Sequence, residues 1–472
     1  MQGNKLPPLR LLKALRKGNK MTYFKKIVIA NRGEIARRII KTCQKLNIST
    51  VAVYSDADKD ALFVKEADEA IYLGGSLAKD SYLDIGKIIN AAKQTKADAI
   101  HPGYGFLAEN ANFSRICEEE GIVFIGPSAK IIELMGDKIE ARKQMENAKV
   151  PIVPGWNGKL DSIEQALVKA EEIGYPIMLK ASAGGGGIGM KMARTRDELA
   201  NVFHAAQQQA QSFFGNGDMF LEKWIDNPRH IEVQIVCDQH GNALHLHERE
   251  CSVQRNHQKV IEECPSPSLT NELREKLYES AIRGVRQIHY QNVGTMEFIV
   301  DEDDRFYFLE MNTRLQVEHP VTEEVTGVDI VELQIKIAAG EELDITQNHI
   351  KAKGHAIEFR LCAEDPFTFF PSPGVITKLS LPENLVRFDF AVAEGSEVSP
   401  FYDSMIGKVI SYGENRQDAL AIMQKAIEGI QLEGIKTNLP LVSKIAEDEQ
   451  FQQGFYTTNL VSKLLNNEYL NH

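Results

Sequence analysis

The chain has 472 residues, 43% of them hydrophobic and 25% charged, with a net charge of −12. This is the make-up of a globular protein with room for roughly two to four domains. No run approaches the roughly eighteen apolar residues of a membrane span, and so acidic a balance argues against a general nucleic-acid binder, because phosphate contact needs basic patches.

Residues 1–20 carry Lys5, Arg10, Lys13, Arg16, Lys17 and Lys20 and no acid. The segment is short and has no serine, so it reads as a disordered extension, or a start placed ahead of Met21, rather than a targeting leader. Lys25 to Ile40 reads as a strand, a turn at Gly33 and a helix, the first βα unit of a Rossmann-like sheet. The G-x-G-x-x-G fingerprint is missing, so dinucleotide binding is not supported. Thr50–Tyr54 is a buried parallel strand by its apolar run. Asp98 to Asn110 reads as a strand end and a glycine-rich loop running into a helix, and ligands of open α/β sheets bind at such ends. Gly121–Pro127 closes this first domain, placed at 21–134.

Val150–Gly155, rich in Pro and Gly, reads as a hinge. Beyond it, Tyr175-Pro-Ile-Met-Leu-Lys180 is a strand that delivers a lysine to the glycines Gly184–Gly187. Backbone N–H groups freed by such glycines can cradle phosphates, although a glycine run by itself also suits a flexible linker. Met190-Lys191-Met192 is expected within this phosphate loop. Asp218–Ile225 reads as a strand closing a lid over about 153–224. Arg249 to Glu263 is dense in hydrogen-bond donors, and the spacing of Cys251 and His257 suits neither a zinc finger nor H-E-x-x-H.

Gly294 to Glu310 reads as a β-hairpin turning at Asp301–Asp304. With Val300 facing Arg305, Glu297 faces Phe308 and Glu310 lies one diagonal away on the same sheet face. Two such carboxylates followed by Asn312 offer the hard oxygens that Mg²⁺ takes together with substrate phosphates. Arg314, Gln316 and Glu318 alternate, so an extended segment would point all three the same way to hold a small anion and remove its proton. Val328–Ala339 has helical periodicity ending at Gly340, and Gly354–Asp365 opens a C-terminal domain of short strands, placed at 351–468. The six cysteines are scattered with no C-x-x-C pair, and no secretory signal precedes them, so reduced thiols and a cytoplasmic setting are expected.

The run Glu310-Met-Asn-Thr-Arg-Leu-Gln-Val-Glu-His-Pro-Val-Thr-Glu-Glu324 resembles the signature of biotin carboxylase, the ATP-grasp component of biotin-dependent carboxylases. His101-Pro-Gly-Tyr-Gly-Phe-Leu-Ala-Glu-Asn110 and Gln254-Arg-Asn-His-Gln-Lys259 match further family motifs, and the likeness spans residues 22 to about 460. It implies a multidomain α/β and α+β fold: a Rossmann-like N-terminal domain, an ATP-grasp domain over 135–350 with a mobile lid, and a mixed C-terminal domain. It implies carboxylation of biotin N1′ with ATP and bicarbonate through carboxyphosphate, with Mg²⁺ or Mn²⁺ as metal.

By the same resemblance Lys138, Lys180, Gly185, Gly186, Gly187, Glu222, Lys223, Ile225, His230, Gln254 and His257 meet ATP, and Glu297, Glu310 and Asn312 hold the metal. Lys259, Arg314, Gln316 and the Val317 backbone hold bicarbonate, Glu318 is the base, and Tyr104 and Arg360 lie beside biotin. A salt bridge from Arg360 to Glu364 or Glu358 is the competing structural account. The family has Lys or Arg where this chain has Ile188. Met190–Met192 mimics a biotin attachment site, but biotin is expected on a separate carrier protein, with a carboxyltransferase as further partner. A homodimer is expected, with Lys41, Lys45, Asn384 and Arg387 at positions of interest for its interface. The rival readings are another ATP-grasp ligase, of carbamoyl-phosphate or peptide type, and a silent scaffold subunit. The first would share the lysines and metal set but not His101–Asn110 or Arg314–Glu318.

Overall fold

The computed structural model describes residues 24–156, 158–182 and 189–469. The N-terminal sheet holds β1 (Lys26–Ile29), β2 (Ser49–Ser55), β3 (Glu69–Gly74), β4 (Ala99–His101) and β5 (Val123–Phe124). They are all parallel, in the order β3-β2-β1-β4-β5. The strands are apolar because helices cover both faces. Gly33, at φ +66, makes the turn from β1 into α1 (Gly33–Lys45), a conformation that favours glycine. Asn110 caps α2 (Ala111–Glu119) by accepting from the Phe113 N–H, which ends the loop that carries Tyr104. Asp137 likewise caps α3 (Lys138–Asn147), so Lys138 opens a helix.

A second unit has its own core. It contains β6 (Gly155–Trp156), α4 (Ile163–Ile173), β7 (Ile177–Ala181), β8 (Lys191–Ala193), α5 (Arg196–Phe214) and β9 (Met219–Lys223). The strands form an antiparallel sheet in the order β6-β9-β7-β8. Leu179, Leu199, Phe203 and Leu221 bury its interior. The Met190–Met192 expectation is corrected here: Lys191 and Met192 are in β8, paired with Leu179 and Met178, rather than in a loop.

The third sheet organises the molecule. Its strands are β10 (Arg229–Cys237), β11 (Ala243–Arg255), β12 (Gln258–Cys264), β13 (Asn292–Val300), β14 (Phe306–Asn312) and β15 (His355–Cys362). After the short β16 (Gly374–Val375) and β17 (Lys378–Ser380) come β18 (Arg387–Phe390), the short β19 (Glu397–Val398), β20 (Met405–Gly413) and β21 (Gln431–Glu433). The eight-stranded order is β14-β13-β10-β11-β12-β15-β20-β18, antiparallel throughout. Of the strands after residue 354, β15, β20 and β18 extend the central sheet through the β12–β15 ladder, while β16 pairs with β19 and β17 with β21 in two small sheets of their own. Helix α6 (Asn271–Gln287) covers one part of this sheet, while α7 (His319–Thr326) packs beside β11, β12 and β15. Helix α8 (Ile330–Ala338) joins its edge to the core of the N-terminal sheet. Helix α9 (Arg416–Gly429) packs on β20. Among the described residues no helix is long and apolar enough to cross a membrane, and the six cysteines are unpaired.

Candidate active site

The β13–β14 hairpin forms, but its register differs from the expected one. Val300 faces Phe306 and Phe298 faces Phe308. Leu309 is then an extra, bulged residue, which brings Glu310 directly opposite Glu297 instead of one diagonal away. The two carboxylates still share a face. The segment after β14 is a loop rather than an extended run, and Glu318 stands immediately before α7 without its side chain capping the helix. Arg314, Gln316 and Glu318 nevertheless line one cleft of about 1010 Å³, together with Glu297 and Glu310. Hydrogen bonds rather than strand alternation align them. Arg314 donates to Gln316 Oε1 (2.8 Å) and Asn312 Oδ1 (2.9 Å), and Gln316 donates to Glu297 Oε1 (3.1 Å).

Lys259 is the hub. Its Nζ lies 2.5 Å from Glu232 Oε2, 3.0 Å from Glu297 Oε1 and 2.6 Å from Glu318 Oε1. Arg360 closes the far side, with a nitrogen 3.0 Å from Glu318 Oε2 and its Nε donating to Glu262 at 2.6 Å. Its partners are thus Glu262 and Glu318, not Glu364 or Glu358; Glu364 pairs with Arg255. Burial raises the proton affinity of the Glu318 carboxyl, but Lys259, Arg360 and Arg249 outweigh it and hold the group below the ordinary carboxylate range. Burial acts likewise on Glu297, and Lys259 and His230 override it. Burial alone would depress the Lys259 ammonium; Glu232, Glu297 and Glu318 hold its pKa high.

On the side of the cleft towards the second unit Lys138 Nζ lies 2.8 Å from Glu310 Oε2, and Lys180 and Arg142 both pair with the buried Glu222. Lys223 spends its ammonium on the Gly174 and Tyr175 carbonyls (2.8 and 3.0 Å), while it and Ile225 line the cleft. His230 Nε2 lies 3.1 Å from Glu297, and the Gln254 amide lies 2.8 Å from His230 Nδ1. His257 sits in the β11–β12 turn at the cleft wall. Gly185, Gly186, Gly187 and Ile188 lie outside the described residues. Burial pushes the Cys251 thiol well up, consistent with a site that uses no thiolate.

Glu297 and Glu310, opposed across the ladder with Asn312 two residues on, are hard-oxygen donors that suit Mg²⁺ or Mn²⁺. A tighter group, His230, Glu232 and Glu297, also lies within ligand range. The Lys259 ammonium already bonds two of its three members, so that group is neutralised within the protein.

Several site residues escaped sequence reasoning: Glu232, Arg249, Glu262, Glu34 and Lys408. The signal for Glu232 was present, since His230, Glu232 and Gln234 put polar groups at every second position of a strand. Arg249, fully buried, bonds Glu232 (2.6 Å) and Gln234 (2.7 Å). Two positions considered for an interface have intrachain partners. Arg387 pairs with Glu323, Glu324 and Asp389, and Lys45 with Asp329 and Glu332.

A lid sheet that brings Lys180 to the cleft, and a long antiparallel sheet carrying two opposed carboxylates on its other side, make this an ATP-grasp ligase. Three family models cover nearly the whole chain: the biotin carboxylase N-terminal domain at 23–132, the carbamoyl-phosphate synthase L chain ATP-binding domain at 137–346, and the biotin carboxylase C-terminal domain at 358–463. Biotin carboxylase 2 of Bacillus subtilis is 56% identical over 443 residues, covering 94% of this chain and all of that one (100%). Biotin carboxylase of Halalkalibacterium halodurans is 54% identical, over 94% of this chain and 98% of that one. Among solved structures, a Campylobacter jejuni biotin carboxylase complexed with β,γ-ATP superposes with a TM-score of 0.91 at 47% identity, covering 93% of this chain and 99% of that one. The biotin carboxylase domain dimer of Hydrogenobacter thermophilus 2-oxoglutarate carboxylase, bound to MgADP, ADP and bicarbonate, gives 0.91 at 48%, covering 94% and 98%. The chain belongs to the biotin carboxylase family: it is an ATP-dependent ligase that carboxylates biotin with bicarbonate.

Proposed function

We propose that the cleft divides this reaction by residue as follows. Bicarbonate is a poor electrophile, since its charge is delocalised and hydroxide leaves badly, so ATP first converts it to carboxyphosphate. Lys138 and Lys180 stabilise the transferring phosphoryl group. Glu297, Glu310 and Asn312 would hold an Mg²⁺ or Mn²⁺ ion, which would supply positive charge against the nucleotide phosphates. Glu222, Lys223, Ile225, His230, Gln254 and His257 seat the nucleotide. Lys259, Arg314, Gln316 and the Val317 backbone orient bicarbonate, and Glu318 takes its proton. Carboxyphosphate then yields CO₂ and phosphate, the phosphate removes the N1′ proton of biotin, and Arg360, beside Tyr104, stabilises the ureido anion that attacks CO₂.

The observation that supports this assignment is the Lys259–Glu318–Arg360 chain of contacts, which sets the base between the phosphate end and the biotin end. Glu318 is a weak base because it is so easily kept ionised, so placement must supply the rest. Biotin arrives on a separate carrier protein, a carboxyltransferase passes the carboxyl group to its final acceptor, and the enzyme works as a homodimer in the cytoplasm.

The test is ATP hydrolysis by the purified chain with Mg²⁺ and bicarbonate, with and without free biotin. Biotin should stimulate turnover, and Glu318→Gln should lower the stimulated rate by about 10²- to 10⁴-fold. Bicarbonate-dependent hydrolysis that ignores both free and carrier-bound biotin would instead indicate a ligase with another acceptor.

A further inference from the structure

We propose that Lys408 is a positioning residue for the biotin end of the cleft, fixing at once the peptide that carries Glu318 and the carboxylate that orients Tyr104. The inference rests on the division of labour given above. Lys408 is on β20, directly opposite Arg360 of β15, and is 0% exposed. A lysine so deep must meet acceptors, and the ones it meets belong to the site. Its Nζ donates to the Val317 carbonyl at 2.8 Å and lies 3.2 Å from Glu34 Oε2. Glu34, buried at the start of α1, accepts a hydrogen bond from the Tyr104 hydroxyl.

The two contacts act on opposite walls. The Val317 carbonyl shares its peptide with the Glu318 N–H, so anchoring the oxygen fixes that peptide plane just where α7 begins. The Glu34 contact reaches the other wall, because Tyr104 rides on the loop after β4, whose backbone Asn31 also grips at the Pro102 and Tyr104 carbonyls (both 2.7 Å). One ammonium therefore ties together four distant stretches of chain: residue 34 and, through it, residue 104, residue 317, and its own strand. Two buried carboxyls, Glu34 and Glu358, feel this ammonium. Burial pushes the Glu34 carboxyl up and Lys408 opposes it. Glu358, two residues before Arg360, is buried with neither oxygen hydrogen-bonded among the described residues, and it too feels Lys408.

A cation that only filled the interior would be replaceable by an apolar side chain of similar length at little kinetic cost. A positioning residue would not, and its loss would be selective by substrate. Lys408→Met is therefore compared with the wild type for KM of ATP, bicarbonate and biotin. The expected result is a rise of about tenfold for bicarbonate and biotin, with ATP within about twofold. Unchanged bicarbonate and biotin constants, or an equal shift in all three, would overturn the proposal. If Lys408→Met does not fold, Glu34→Gln gives the second reading: KM for biotin should rise about tenfold with ATP unmoved, and an unmoved biotin constant sinks the idea. Absence of biotin stimulation in the wild type would instead defeat the underlying assignment, so the two failures are distinguishable.

Discussion

At Glu318 three cations outweigh burial, and two of them, Lys259 and Arg360, touch the carboxylate from either side. Removing Arg360 should let the Glu318 pKa rise while leaving Glu262, fully buried, without its cation. Arg360→Ala is accordingly expected to lose about 10² or more in biotin-dependent turnover while KM for ATP holds, a split that steady-state kinetics can measure. Away from the chemistry, Glu250 is buried among Ser252, Ser266 and Ser268, and burial pushes its carboxyl up to about 7. A raised carboxyl keeps in the folded state a proton that the unfolded chain has already lost. Its cost therefore grows as pH rises from about 4.5 towards 7 and is constant above. Glu250→Gln should gain on the wild type by about 3 kcal/mol between pH 4.5 and pH 8, read from urea midpoints at each pH.

Among elements, the β13–β14 hairpin shows where sequence reasoning reaches and where it stops. Residue type placed two strands and a turn, and alternation put both carboxylates on one face. The bulge at Leu309 leaves no compositional mark, so the register could not be read. The Arg314–Glu318 convergence was legible as a set of residues but not as a loop, because its geometry comes from side-chain hydrogen bonds among Asn312, Arg314, Gln316 and Glu297. The junction of β12 with β15 joins residues about a hundred positions apart, beyond any local pattern. Lys408 escaped sequence reasoning because its partners, at positions 34 and 317, come from other parts of the chain. Gly155 carries a prediction of its own: a Cβ there would lie 2.3 Å from the Leu221 carbonyl, so β6 pairs with β9 only as glycine. Gly155→Ala should weaken the lid sheet by about 1–3 kcal/mol and raise KM for ATP, with KM for bicarbonate measured alongside as the control.

For the whole molecule, the lid has its own core, and both tryptophans sit on it or at its root, Trp156 in β6 and Trp224 just after β9. Tryptophan fluorescence should therefore report lid unfolding at lower urea than circular dichroism reports loss of the large sheet. MgADP, on the proposed seat between lid and sheet, should raise the fluorescence midpoint and narrow the gap; coincident transitions without nucleotide would show that the lid does not open as a separate unit. The large sheet has another consequence. Glu310 is on β14, Glu297 on β13, Glu232 on β10, Arg249 on β11, Lys259 and Glu262 on β12, Arg360 on β15 and Lys408 on β20, which is the order of the strands across the sheet. On the assignment proposed above, the metal end and the biotin end of the cleft are set crosswise to the strands, at the fixed pitch of neighbouring strands, about 4.8 Å. From the strand of Glu297 to that of Arg360 is four rungs, roughly 19 Å of backbone. Backbone hydrogen bonds set that distance, so on the same assignment side chains can vary while the separation between phosphate and biotin stays constant, and a short-lived carboxyl donor has only the width of a few strands to cross.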